Sequence, residues 1–395
     1  METRILKKKH FRVKHQKQKL FRANEPILSV FMWGINHTIN ELSHVNIPVM
    51  LLPDDFRANT KIKVDNHLFN KDNMPSHFKE YCPLVFKNLR ERFQIDDVDY
   101  RESLTRSQPI LIDSSGKSGA KFYQSYDKFF IMKSLTSEEV ERMHAFLKHY
   151  HPYVVEKHGN TLLPMYLGMY RLTVENVQYY FVVMRNVFSA HLTIHKKFDL
   201  KGSTVDREAS DKELEKNLPT FKDNDFMSQR KKIQIGQDAK EKLFQTLQND
   251  IDFLKKLHIM DYSLLVGIHD KKQAEEEELT AQNENVEGNR SDHSESEDGE
   301  RWPHYKTPPD SPHQGQCHGN YNDIIPEIDL YALGSADQKE IFFVAIIDVL
   351  TQYDVKKQAA KAAKTVWYNN VDGISTCDPE QYAKRFIEFM DKVID

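Results

Sequence analysis

"HIMDYSLLVGIHD", residues 258–270, decides the fold and raises a question about one residue. The apolar run Leu264, Leu265, Val266 reads as a strand bound for the core. Asp261 stands directly before it, between Met260 and Tyr262, where an unpaired carboxylate is costly. Two readings are open: an Asp that caps a turn, or a catalytic carboxylate held at the mouth of the strand. Upstream, "DAKEKLFQTLQNDIDFLKKLHIM" repeats Leu243, Leu247, Ile251 and Leu254 at helical spacing, which predicts a long amphipathic helix running straight into Asp261. Downstream, "IFFVAIIDVL" is the most apolar segment of the chain, and Asp348 interrupts it. A charge in such a run has no packing rationale, which points to function or pairing.

Further out, "LTSEEVERMHAFLKHY" opens with Thr136 and Glu139 in capping-box spacing and sets Val140, Met143, Phe146 and Leu147 on one helical face. "LPMYLGMYRLTV" and "QYYFVVMRNVF" flank Glu175-Asn176-Val177 as a β-hairpin. "DPEQYAKRFIEFMDKVI" is a helix with Asp378 as N-cap and Pro379 in its first turn. Strands and a helix followed by longer helices with a few strands predict an α+β protein of two lobes with antiparallel sheets. The lobes are expected at 22–187 and 188–395, behind a basic segment 1–21.

The chain has 395 residues and a net charge of −4, unevenly spread. Residues 271–320 hold 12 acids and 5 bases, which leaves +3 on the rest. Few aliphatic residues and many Glu, Ser, Asn and Pro make this span a disordered insert on composition. Residues 1–22 carry 9 bases against the single acid Glu2, a footprint for an anionic surface or a solvated tail. No apolar run approaches the ~20 residues of a membrane span, and "METRILKKKHF" does not read as a secretory signal. Cys82, Cys317 and Cys377 are scattered, which argues against a disulfide framework or structural zinc. The expected setting is cytoplasmic or nuclear, peripheral to membranes.

"DSSGKSGAKFYQSYDKFFIMK" sets Gly116 and Gly119 before a strand-like run ending at Lys133. Glycines let a backbone approach phosphates, and a Lys on the next strand neutralises them. A flexible turn with a surface Lys fits the same residues. Glycine loop, Lys, Asp261 and Asp348 together are the inventory of phosphoryl transfer, in protein-kinase order. Yet no HRD or DFG accompanies the acids, which argues against an ordinary protein kinase.

One more set of stretches names a family. "KKFDLKGSTVDREASDKELEKNLPTFKDNDF", "MDYSLLVGIHD", "AIIDVLTQYD" and "PEQYAKRF" closely resemble the phosphatidylinositol phosphate kinases. "FRANEPILSVFMWGINHTINELSHV", "PVMLLPDDF", "KIKVDNHLFN" and "NTLLPMYLGMYRLTV" are similar to their type II branch, the phosphatidylinositol 5-phosphate 4-kinases. The resemblance implies a two-lobed lipid kinase that transfers the γ-phosphate of ATP, with Mg²⁺, to the 4-hydroxyl of phosphatidylinositol 5-phosphate. A weakly active phosphoinositide-binding scaffold and a phosphatidylinositol 4-phosphate 5-kinase are the alternatives. By the resemblance, Gly116, Gly119 and Lys133 meet the nucleotide phosphates. Arg185, Asn186, Val187 and Phe188 form the hinge at the purine, and Lys197 and Lys201 lie at the nucleotide and transfer site, Lys197 binding the nucleotide. Arg207 and Lys222 hold the substrate phosphate, Asp261 is catalytic, and Asp348 is both catalytic and metal-binding. It also implies a homodimer or heterodimers with related kinases on an anionic membrane, and no nucleic-acid partner. The chain departs from the branch at "WYNNVDGIST", in a loop tied to substrate choice, and at Met184 in the hinge, which bears on GTP as an alternative nucleotide.

Overall fold

The computed structural model describes residues 23–48, 50–64, 76–113, 119–229, 232–288, 322–353 and 378–395. The basic segment, Gly116 and "WYNNVDGIST" lie outside them. Helix α1 (Pro26–Ser43) precedes β1 (Asn59–Val64) and β2 (Ser76–Tyr81). Helices α2 (Pro83–Arg92) and α3 (Asp97–Thr105) follow, then β3 (Ile110–Ile112), β4 (Phe122–Gln124), β5 (Phe130–Leu135), α4 (Ser137–Glu156), β6 (Tyr166–Val174) and β7 (Val177–Arg185). The chain continues through β8 (Lys196–Leu200), α5 (Asp211–Leu214), β9 (Thr220–Phe221), α6 (Asp223–Ser228) and α7 (Gln237–Lys256). It closes with β10 (Ser263–Asp270), α8 (Lys271–Gly288), β11 (Ala332–Gly334), β12 (Glu340–Ile347) and α9 (Pro379–Val393).

Two sheets result, as an α+β chain requires. The larger runs β1-β2-β6-β7-β5-β4-β3 and the smaller β11-β12-β10-β8-β9, antiparallel except for β8 with β9. Local chemistry explains the elements that the sequence announces. Thr136 and Glu139 close the capping box of α4, and the Asp378 carboxylate caps α9 by accepting the Gln381 N–H. Glu175 and Asn176 both take left-handed backbone (φ 51° and 62°), the two-residue turn that a twisted hairpin favours.

Three expectations are corrected. Helix α7 stops at Lys256 rather than running into Asp261, because His258 turns left-handed (φ 54°) and Ile259 pairs with Gln352. The run before Lys133 folds as the β4–β5 hairpin, bent where Lys128 reaches φ 65°. The insert begins as helix α8, not as disorder: the Asp270 carboxylate accepts the Lys272 and Gln273 N–H groups, and Glu, Gln and Ala are good helix formers. Residues 289–321 lie outside the described residues.

The sheets share one hydrophobic core. Buried Asp250 ties α7 to α4 and to the loop before β6, accepting the hydroxyls of Tyr153 and Thr161 and the Leu162 N–H, each at 2.7 Å. Burial still raises this carboxyl, to about 6, against the pull of those three donors. The neighbouring Ile346 N–H donates to the Leu162 carbonyl (2.8 Å), bringing β12 against the loop before β6.

A second buried acid makes a pH prediction. Glu80 of β2 is wholly buried, beside Thr38 and Arg90. Burial raises its pKa from 4.5 to about 7, with Arg90 and Thr38 offsetting part of the rise and Asp97 adding to it. The folded state therefore keeps a proton that the unfolded chain releases. The stability linked to it is complete below pH 4.5 and lost as pH rises through 7. Glu80→Gln, which imitates the protonated acid, is expected to raise the melting temperature at pH 8 and to raise it far less at pH 5. Thermal scans at both pH values check this, and an equal gain at each would assign the proton elsewhere.

Candidate active site

The β10–β12 ladder breaks where the two acids stand. Its last regular pair is Ser263 with Ile347, and pairing resumes at Ile259 with Gln352. Residues 260–262 on one side thus oppose 348–351 on the other, so both strands bulge. Such bulges re-aim side chains beside functional sites. Asp261 and Asp348 each adopt φ 63° there, a left-handed conformation that costs a non-glycine residue about 1–2 kcal/mol. Asp348 is not buried in its apolar run, as the sequence implies. Its side chain is 51 % exposed, because the strand ends one residue earlier.

The larger sheet delivers the cation. Lys133 Nζ of β5 lies 3.4 Å from Asp348 Oδ1 and 5.6 Å over the Phe122 ring, which joins the two sheets across 215 residues of sequence. A partly exposed pair of this length adds at most about 1 kcal/mol of stability. Its consequence is placement: a Lys of one sheet meets an acid at the end of a strand in the other.

The segment after β7 links the sheets through committed side chains. Asn186 donates its N–H to the Phe129 carbonyl and its Nδ2 to the Lys128 carbonyl (both 2.8 Å), and its Oδ1 accepts the Phe188 N–H. Arg185 donates Nη2 to the Ile328 carbonyl (2.7 Å) and lies 4.7 Å over Phe129, while burial lowers its pKa. Phe188 packs where a Cβ on Gly267 would stand, 2.5 Å away, which is why that strand position is glycine. Val187 packs against the shared core and against a small separate cluster of Leu192, Ile341 and Phe343. Arg185 and Asn186 side chains thus brace the segment that joins the sheets. A cavity of 1230 Å³ lies on the Arg185 side, lined by Arg92, Ile95, Tyr126, Phe129 and Ile328. It includes none of Lys133, Asp261 and Asp348, so volume does not mark the chemistry.

The basic residues divide. Lys197 of β8 sits opposite Gly267, and burial lowers its ammonium pKa, with Glu213 partly offsetting this. Arg207 is 8 % exposed and donates Nε to Asp223 Oδ2 (2.7 Å) and Nη2 to the Asp199 carboxylate (3.1 Å) and carbonyl. Burial opposes its charge, but Asp199 and Asp223 more than offset that, and its pKa rises. Asp223, 1 % exposed, also accepts the Lys201 and Gly202 N–H groups (2.9 and 2.7 Å). One acid therefore fixes both the loop carrying Lys201 and the side chain of Arg207. Lys222, next to it, opens α6, its N–H donating to Asp225 (2.9 Å). Gly119 has φ 68° with open space around it, while Gly116 lies outside the described residues.

The structure brings Lys133 beside Asp348, sets Asp261 in the same broken ladder, and groups Lys201, Arg207 and Lys222 around Asp223. Asp199, Asp223 and Asp250 escaped the sequence reading because acids in charged runs carry no signal of burial. Among the described residues no three His, Cys, Asp or Glu converge on one point, and no helix is long and apolar enough to cross a membrane.

Comparison with known proteins adds to this geometry. Residues 103–393 match the family model for phosphatidylinositol-4-phosphate 5-kinase. The chain is 56% identical to phosphatidylinositol 5-phosphate 4-kinase type-2 beta of Mus musculus, over 98% of this chain and 94% of the relative. It is 56% identical to the type-2 alpha protein of Gallus gallus, over 98% and 96%, and 55% identical to that of Homo sapiens, over 98% and 95%.

Proposed function

The chain belongs to the phosphatidylinositol-4-phosphate 5-kinase family, and from that premise we propose that it phosphorylates the 4-hydroxyl of phosphatidylinositol 5-phosphate with ATP. It is a lipid kinase, and its product is phosphatidylinositol 4,5-bisphosphate. The observation that carries the assignment of roles is the broken ladder, with two left-handed Asp residues at one mouth and Lys133 of the other sheet 3.4 Å from one of them.

In this reading Lys133 neutralises the nucleotide phosphates, and Gly116 and Gly119 let backbone approach them. The hinge, Arg185–Phe188, holds the purine, and ATP is the main nucleotide with GTP as a second. Asp348, half exposed at the strand end, would hold Mg²⁺, which when bound would offset negative charge on the phosphates. Asp261 accepts the hydrogen bond of the attacking hydroxyl, Lys197 binds the nucleotide, and Lys201 stabilises charge on the moving phosphoryl group. Arg207 and Lys222 hold the 5-phosphate of the lipid, Arg207 from within its ion triad.

The lobes are 22–187 and 188–395. The enzyme works in the cytoplasm on anionic membranes, as a homodimer or with related kinases, drawn there by its basic segment 1–21 at about 1 kcal/mol per charge. Product analysis with each monophosphorylated phosphatidylinositol tests the assignment. Phosphatidylinositol 5-phosphate is expected to be converted at least tenfold faster than the 3- and 4-phosphates. A preference for the 4-phosphate would overturn the 4-kinase reading.

A further inference from the structure

Asp261 is held through both of its neighbours, and the last helix of the chain does half of the holding. On one side the Met260 N–H donates to the Thr351 carbonyl (2.9 Å). On the other, the Tyr262 carbonyl accepts the hydroxyl of Tyr382 from α9. The Tyr262 ring stands edge-on to Tyr382 (4.8 Å) and Phe386 (5.2 Å), and all three residues are fully buried. Arg385 lies 5.2 Å over the Tyr382 ring. The same helix supports the Lys201 loop: a Cβ on Gly202 (φ 67°) would lie 3.0 Å from Phe389 Cβ and 3.1 Å from the Arg385 carbonyl.

An Asp with φ 63° relaxes unless its surroundings over-determine that conformation. We propose that Tyr382 is the positioning residue of the transfer site: its hydroxyl on the Tyr262 carbonyl keeps Asp261 in the left-handed kink that aims its carboxylate at the attacking hydroxyl. This rests on the role given to Asp261 above. The phenol is suited to the task. Burial, with the Tyr262 phenol and the Asp261 charge, holds its pKa well above the ordinary range, so it stays a donor at every working pH. Packing alone would be served by a phenylalanine, since the ring and not the hydroxyl fills the space.

Tyr382→Phe separates the two accounts, and Phe386→Leu is its partner, trimming the packing on Tyr262 while leaving the hydrogen bond. Tyr382→Phe is expected to lower kcat about tenfold, since small misplacements of reacting groups cost rate steeply. KM for ATP should stay within twofold and the melting temperature near wild type. Amide hydrogen exchange in a peptide spanning 258–264 should quicken about tenfold. Phe386→Leu is expected to lower the melting temperature more and kcat less than threefold. Wild-type kcat and exchange in Tyr382→Phe would overturn the proposal, as would kcat losses that follow the melting temperatures of the two variants. The exchange measurement needs no substrate. A wild-type chain inactive on phosphatidylinositol 5-phosphate would therefore refute the assigned reaction, while the clamp still stands or falls on exchange.

Discussion

Replacing Asp348 with Asn is expected to cut phosphoryl transfer at least a thousandfold and to leave the fold nearly untouched. The loss follows from chemistry: Asn keeps the shape but not the charge that would hold a divalent cation against the nucleotide phosphates. The preserved fold follows from place. The side chain is half exposed, and its contact with Lys133 is a 3.4 Å pair of the kind that adds little stability. Asn also tolerates left-handed backbone better than most residues, so φ 63° at this position survives the change. Turnover on lipid vesicles and a thermal scan check both halves. Wild-type turnover would remove the metal role from Asp348, and a melting temperature lowered by ten degrees would show that the carboxylate was structural.

Arg207→Ala is expected to destabilise the protein by about 3–5 kcal/mol, the range for breaking a buried ion pair from one side. Asp199 and Asp223 would lose their counter-charge, with Asp223 buried and already committed to two backbone N–H groups of the Lys201 loop. Denaturant unfolding would show the midpoint falling, and turnover would fall with it as the loop loosens. Arg207→Lys should recover only part of the loss, since a compact ammonium cannot reproduce the planar fork that reaches both acids and the Asp199 carbonyl. An unchanged unfolding midpoint in Arg207→Ala would mean that the triad contributes nothing. Because Arg207 supports the loop, a lost lipid activity in this variant does not identify a lipid contact. Lys222→Ala is the cleaner probe of the 5-phosphate.

Several elements were legible from pattern alone, each for a local reason. Thr136 with Glu139, Asp378 with Pro379, and Glu175-Asn176 between two alternating runs announce their structures because capping and turn chemistry act within four residues. The end of α7 was not legible. Leu257, Ile259 and Met260 continue an apolar pattern, and contacts with residues 351–353, among them the pairing of Ile259 with Gln352, pull them out of the helix. The start of the insert was misread for the opposite reason: composition reports that α8 lacks an apolar face, but not that Asp270 can cap it.

The sequence by itself determined the chemical inventory and the family: Lys133, Asp261 and Asp348 in order, within motifs long enough to be specific. These are properties of residue type and spacing, which the linear chain carries intact. Tertiary structure alone decided which acid is which. Asp348 is exposed at a strand end, Asp250 is sealed under three donors, Asp223 is locked into an ion triad, and Asp261 is kinked beneath a tyrosine more than a hundred residues away. Burial and hydrogen bonding depend on groups brought together from distant parts of the chain, so the same letter in the sequence can hold a core, organise a loop or stand half exposed at a strand end.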